Sequence, residues 1–178
     1  MKFKLNIVML SSDYSFQQLD PSNYKEVNEI GYSFWKENGV YSKQALIPII
    51  SQNLSYCIKK GQNIISFCII EQINNTSAYV FLLATRKEYQ KQGLAKYILE
   101  QSLLNSLAKG IVSFSLHTET TNTAAINLYT KMGFDVLTIE IGYYKNVNKG
   151  EYSNYQIRNV IDPMENSENA LVMVLNYD

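Results

Sequence analysis

The only imidazole in the chain is His117, near the end of the apolar run IVSFSLHT. Histidine titrates close to neutral pH, so it can take or give a proton where other unperturbed side chains cannot. A lone histidine also serves as a capping or core group that hydrogen-bonds a carbonyl, and both readings stand here. Upstream, YQKQGLAK contains Gln90-x-x-Gly93-x-Ala95 between a strand pattern and a helix pattern. Two minimal side chains at a helix start leave room for an anion to approach backbone N–H groups that have no helical acceptor. The helix dipole adds positive potential there. A pyrophosphate is a natural ligand for such a turn; an ordinary strand-to-helix connection with a convenient glycine is the alternative. The turn lacks the Lys-[Ser/Thr] pair of a P-loop and two of the three glycines of a dinucleotide fingerprint. Lys91 and Lys96 could assist phosphates, although solvated lysines are commoner.

These residues need elements to hold them. Residues 3–10 read as a first strand. Asp20 and Pro21 open a helix carrying Tyr24, Val27, Ile30 and Phe34 at helical spacing. SKQALIPIIS is a second helix that Pro48 should break or kink. LSYCIKK and NIISFCIIEQI flank Gly61 as a hairpin, NNT is a turn, and SAYVFLLAT is a further strand. Ala95, Ile98, Leu99, Leu103 and Leu107 form one face of the next helix, which Gly110 closes. IVSFSLHT is a strand. Asn122 then caps a helix with Ala125, Leu128, Tyr129 and Met132 on one side, and Gly133 ends it. FDVLTIEIGYY and NALVMVLNY are strands on either side of a polar loop over 145–169. This order predicts an α/β (α+β) chain, a single domain over 1–178 built on one mixed sheet with helices on both faces. The polar loop exceeds the usual ~12–15 residues, which points to a functional or disordered segment.

With 178 residues, 46% of them hydrophobic, the chain can bury a proper core. Tyrosine is abundant, at 14 copies. Lys+Arg and Asp+Glu both number 16, so no global basic footprint points to nucleic acid or an acidic membrane surface. Cys57 and Cys68 lie in apolar stretches, lack metal-ligand spacing and read as buried thiols in a reducing compartment. No apolar run approaches the ~20 residues of a membrane span. MKFKLNIVML reads as a strand rather than a signal peptide, because no small-residue cleavage site follows. Cytoplasm, with the nucleus as a possibility, is the expected location, and nothing suggests a metal.

Two linked motifs then carry a resemblance. YVFLLATRKEYQKQGLAKYILEQSL, followed by LHTETTNTAAINLYTKMGFDVL, resembles the acyl-CoA-binding core of the GNAT N-acetyltransferases over roughly residues 55–146 plus the last strand. In that family [Arg/Gln]-x-x-Gly-x-[Gly/Ala] binds the CoA pyrophosphate, and an Asn-x-x-Ala-x-x-x-Tyr-x-x-x-Gly-Phe helix follows, here Asn122, Ala125, Tyr129, Gly133 and Phe134. Leu116-His117, Tyr79 and Tyr143-Tyr144 resemble more narrowly the eukaryotic protein Nα-terminal acetyltransferases, of the NatE catalytic subunit and NatF types. The resemblance implies a centrally splayed GNAT sheet and acetyl-CoA as cosubstrate. It implies contacts to that cosubstrate from Leu83, Ala84, Thr85, Gln90, Lys91, Gln92, Gly93, Leu94, Ala95, Lys96, Asn122, Ala125 and Tyr129. Leu83, Ala84 and Thr85 would offer backbone groups to pantetheine as an added strand does.

Acetyl transfer to an amine needs a neutral nitrogen, a destination for its proton, and help for the developing oxyanion and thiolate. A peptide α-amine titrates near ~7.7–8.0, so a mild base suffices, whereas a lysine near ~10.4 demands more. The resemblance implies Tyr79 and His117 as the acid–base pair, acting through ordered water, and Tyr129 as proton donor to the departing thiolate. It implies Phe34, Trp35, Phe81, Tyr143 and Tyr144 around the acceptor peptide, with Tyr32 and Tyr41 as weaker candidates. Core packing is the alternative for each aromatic. Tyr143 and Tyr144, if in a strand, should face opposite sides. Two departures stand out: a Phe-Pro-Val wall motif of the NatE type is absent, and Gln90 replaces the usual arginine. The expected partners are a peptide or protein N-terminus as substrate, with an auxiliary subunit or the ribosome as further possibilities, and no direct nucleic-acid contact. A lysine or small-amine acetyltransferase is the alternative reading, and a non-catalytic CoA-binding partner subunit is the alternative of another class.

Overall fold

The structure is a computed structural model that describes residues 12–35, 41–144 and 169–177. The expected strand over 3–10 and nearly all of the 145–169 loop lie outside the described residues. The chain forms two compact units, one running to Val112 and one from Ser113 onward.

In the first unit, β1 (Tyr14–Gln18), β2 (Tyr56–Lys60), β3 (Asn63–Gln72) and β4 (Ser77–Thr85) pair antiparallel in that order. Strand β1 was not legible as a strand: YSFQQ has one strongly apolar residue and is only half-buried. Asp20 and Pro21 do open a helix as the sequence predicts, through a short 3₁₀ turn and a reciprocal capping box with Asn23, before α1 (Tyr24–Trp35). The next helix, α2 (Lys43–Ile50), continues through Pro48 instead of breaking there. Ser42 caps its start, and Leu46, Ile49 and Ile50 bury its apolar side. Burial outweighs the single backbone bond that proline forfeits.

The run IISFCII in β3 is buried on both faces. On one side Phe67 and Ile69 join Val27 and Ile30 of α1 and Leu46, Ile49 and Ile50 of α2 in a continuous apolar cluster. Alternate residues, among them Cys68, face the other side, where Ser102 of α3 (Leu94–Leu107) lies against the thiol. Both cysteines are buried free thiols, and burial pushes them up, Cys57 to about 11 and Cys68 to about 12. They are inert packing residues at neutral pH.

In the second unit, β7 (Ala170–Asn176) lies between β5 (Ser113–Glu119) and β6 (Asp135–Glu140), antiparallel to each. Helix α4 (Thr123–Lys131) connects β5 to β6; Asn122 accepts the Ala125 N–H at 3.1 Å, and Gly133 takes φ +88° to end the helix, as expected. One expectation fails here. The FDVLTIEIGYY strand ends at Glu140, Gly142 turns at φ +65°, and Tyr143 and Tyr144 begin a helical turn.

Candidate functional site

One group of candidate residues lies in the unit that ends at Val112. Strand β4 delivers the chain to Arg86, whose Nε donates to the Ile64 carbonyl at 2.6 Å and whose guanidinium meets Glu26 at 3.2 Å. The same Glu26 oxygen accepts the Ile64 N–H at 2.7 Å. Arg86 is therefore committed to holding the strand end. The Gln90 amide donates to the Thr85 carbonyl at 3.2 Å, and the Tyr14 hydroxyl donates to the Gln92 side chain at 3.2 Å. Lys91 and Gly93 both sit at positive φ, +60° and +81°. The loop thus reverses sharply into α3.

That helix start differs from those that Asp20, Ser42 and Asn122 cap. Asp20, Ser42 and Asn122 each cap their helices with a side chain, whereas Gly93, the residue before α3, makes no side-chain cap bond. A Cβ on Gly93 would meet nothing within 4 Å, so its glycine is needed for backbone conformation and not for packing within the chain. Leu94 is buried and anchors the first turn, while Ala95 presents only a methyl group. The first-turn N–H groups of a 14-residue helix, with its dipole behind them, suit an anion's oxygens. Gln90, Lys91, Gln92, Gly93, Leu94, Ala95 and Lys96 are therefore brought together as one turn.

Tyr79, Phe81 and Leu83 share the half-buried face of β4. A bulge falls at Phe81, since Leu82 pairs with Ile69 while Val80 pairs with Ile70. The rings of Tyr79 and Phe81 lie 6.3 Å apart, and Phe81 meets Tyr41 edge-on at 5.1 Å. Asn28 holds Tyr41 by two bonds, donating to its carbonyl at 2.7 Å and accepting its N–H at 3.0 Å. Phe34 packs on the same apolar cluster. Tyr41, ranked low from sequence, thus meets Phe81 and, like Phe34, packs against that cluster, whereas Tyr32 is exposed. The Trp35 side chain lies outside the described residues. Ala84 and Thr85 are buried, their carbonyls accepting from Ser66 and Gln90.

A separate group of candidate residues lies in the unit from Ser113 onward. His117 and Glu140 meet across β7, Nε2 to Oε2 at 3.1 Å, with only 7% and 12% of their side chains exposed. The Tyr143 ring stacks on the imidazole, centroids 4.2 Å apart and planes 11° apart, and Tyr144 meets Tyr143 edge-on at 5.0 Å. Asn169 fixes this turn: its side chain accepts the Gly142 N–H at 2.9 Å, and its carbonyl accepts the Thr120 N–H at 3.2 Å. The two tyrosines are consequently neighbours and not on opposite faces of a strand. Burial drives His117 down to about 4, so its ring is neutral at neutral pH, and burial raises Glu140 above the ordinary carboxylate range. Tyr129 is buried on α4, edge-on to Phe134 at 5.8 Å, with Ala125 half-buried on the same helix.

Glu140 was missed from sequence. Its signal was present: it is the one acidic residue in VLTIEI, set between Ile139 and Ile141. A carboxylate flanked by apolar residues in a strand needs a partner when buried.

Residues 18–134 match the model of the acetyltransferase (GNAT) family, and the chain belongs to that family. The [ribosomal protein bS18]-alanine N-acetyltransferase of Escherichia coli strain K12 is 28% identical over 110 residues, 62% of this chain and 70% of that protein. Among solved structures, Ard1 from Thermoplasma volcanium superposes with a TM-score of 0.74 at 16% identity, covering 93% of this chain and 99% of that one. Arabidopsis thaliana Naa50, in complex with the bisubstrate analogue CoA-Ac-MVNAL, gives 0.72 at 15% identity with the same coverage. These two likenesses agree with the GNAT fold.

Proposed function

We propose that this acetyltransferase uses acetyl-CoA to acetylate the α-amino group of a peptide or protein N-terminus. The observation that carries the reading is His117, the sole histidine, kept uncharged by burial and held between a carboxylate and a tyrosine ring. So weak a base suits an amine that has already shed its ionic proton. Near pH 7.4 roughly a fifth to a third of an α-amine is neutral, against about one part in a thousand of a lysine side chain. The bS18-alanine N-acetyltransferase relative and the Naa50 fold likeness favour the same acceptor. An apolar first residue suits the partly buried aromatic rings of Phe34, Tyr41 and Phe81.

In this reading the pyrophosphate of CoA takes the place of a cap on α3, bound by the first-turn N–H groups after Gly93. The neutral amine attacks the thioester carbonyl carbon, forming the C–N bond. The nitrogen's proton passes to His117, with Tyr79 orienting the amine or relaying through water. Collapse breaks the C–S bond, and the thiolate takes a proton from the Tyr129 hydroxyl; His117 then returns its proton to solvent, from which Tyr129 is restored. The products are an N-acetylated peptide and free CoA thiol. An auxiliary subunit or the ribosome would present larger substrates.

The test is a library of short peptides varied at the first two positions, incubated with acetyl-CoA and read by free thiol release. Turnover is expected on apolar-start N-termini, falling by ~10²-fold or more in both His117→Ala and Tyr79→Phe. Turnover confined to lysine side chains or polyamines would refute the α-amine acceptor. Wild-type rates in both variants would refute the assigned roles.

A further inference from the structure

Glu140 reaches His117 from two strands away. In register, His117 of β5 and Thr138 of β6 flank Val172 of β7, while Glu119 and Glu140 flank Ala170. Strands separated by an intervening one lie about 10 Å apart. Glu140 spans that gap diagonally, and the fully buried Ala170, contributing only a methyl group, leaves the space for it. Tyr143 stacks nearly parallel on a face of the ring. The imidazole is thus fixed in plane by one neighbour and in the plane's orientation by another.

A neutral imidazole has one N–H and one lone pair, and the partner of one nitrogen decides the role of the other. We infer that Glu140 is a positioning residue: its carboxylate accepts the Nε2–H of His117, so that Nδ1 is the nitrogen carrying the lone pair that takes the proton in acetyl transfer. This inference rests on the acetyl-transfer reading for its catalytic consequence, while the pairing itself does not.

The single histidine makes the test unambiguous. In protein labelled with ¹⁵N-histidine, long-range ¹H–¹⁵N correlations at neutral pH report one ring alone. The unsubstituted protein is expected in the Nε2–H form. Glu140→Gln keeps an acceptor and retains that tautomer, whereas Glu140→Ala yields a mixture. With the best peptide, Glu140→Ala is expected to lower kcat by about 10- to 100-fold with KM nearly unchanged, less than the ~10²–10⁴-fold of the proton transfer itself because His117 remains, and Glu140→Gln to recover most of it. An Nδ1–H form in the unsubstituted protein, or an unchanged tautomer in Glu140→Ala, would overturn the pairing. A changed tautomer with wild-type kcat would overturn the positioning role. Absence of turnover by the unsubstituted protein would instead count against the acetyl-transfer reading, since the spectrum needs no substrate.

Discussion

At the scale of single residues, the imidazole of His117 is defined by what surrounds it. Its type marks it as a proton-transfer group, but burial takes it far from its ordinary range, down to about 4. That shift has a stability consequence with a definite sign. The unfolded chain binds a proton at His117 near pH 6.5, while the folded chain resists until about 4. The contribution is therefore complete above about 6.5 and is lost as pH falls towards 4, by roughly 1.4 kcal/mol per unit. Between pH 7 and 5 the loss is about 2 kcal/mol. Urea unfolding at these two pH values should show a fall larger by that amount in the unsubstituted protein than in His117→Gln. Equal falls would mean that the ring is protonated in the fold as readily as in water. Glu140 acts with the opposite sign, its raised value favouring the folded state at low pH.

At the scale of elements, the helix start after Gly93 is the clearest design. Local composition announced it: a glycine and an alanine spaced two apart at a strand-to-helix junction. The structure adds the reason the glycine is required, a left-handed conformation at φ +81° with open space where a side chain would sit. Gly93→Ala should cost about 1 kcal/mol, a local backbone penalty with no clash against the rest of the chain. Gly93→Asn should cost less, because asparagine tolerates that conformation. Chemical denaturation of both measures this; equal losses would locate the cost in something other than φ. Elements at a distance from such local signals were harder to read. Strand β1 carries few apolar residues and exists through its pairing with β2. Helix α2 passes Pro48 because its buried face holds it.

At the scale of the whole molecule, 16 basic and 16 acidic side chains cancel, so a highly anionic cosubstrate must be met locally and not by a global field. In the proposed reading, backbone N–H groups at α3 supply that local potential without net charge. Binding that favours only the folded state should stabilise it by about 2.7 kcal/mol at a concentration of 100 times Kd. For a chain of this size that is a rise in melting temperature of roughly 5–10 °C with CoA. Thermal melts with CoA and with adenosine alone distinguish the sources. An equal shift from adenosine would remove the diphosphate as the anchor.

The amino-acid order alone determined the GNAT class, most of the helices and strands, and the turn at Gln90 to Ala95. Caps, glycines at positive φ and apolar periodicity are written in neighbouring residues, and each acts over a few positions. Only tertiary structure decided which side chains meet. Glu140 stands 23 residues from His117, and their contact depends on β7 entering between β5 and β6 in one register. Tyr143 stacks on that ring because Gly142 and Asn169 end a strand that apolar alternation would have continued. Strand pairing is a long-range choice made by burial, and no local pattern encodes its partner.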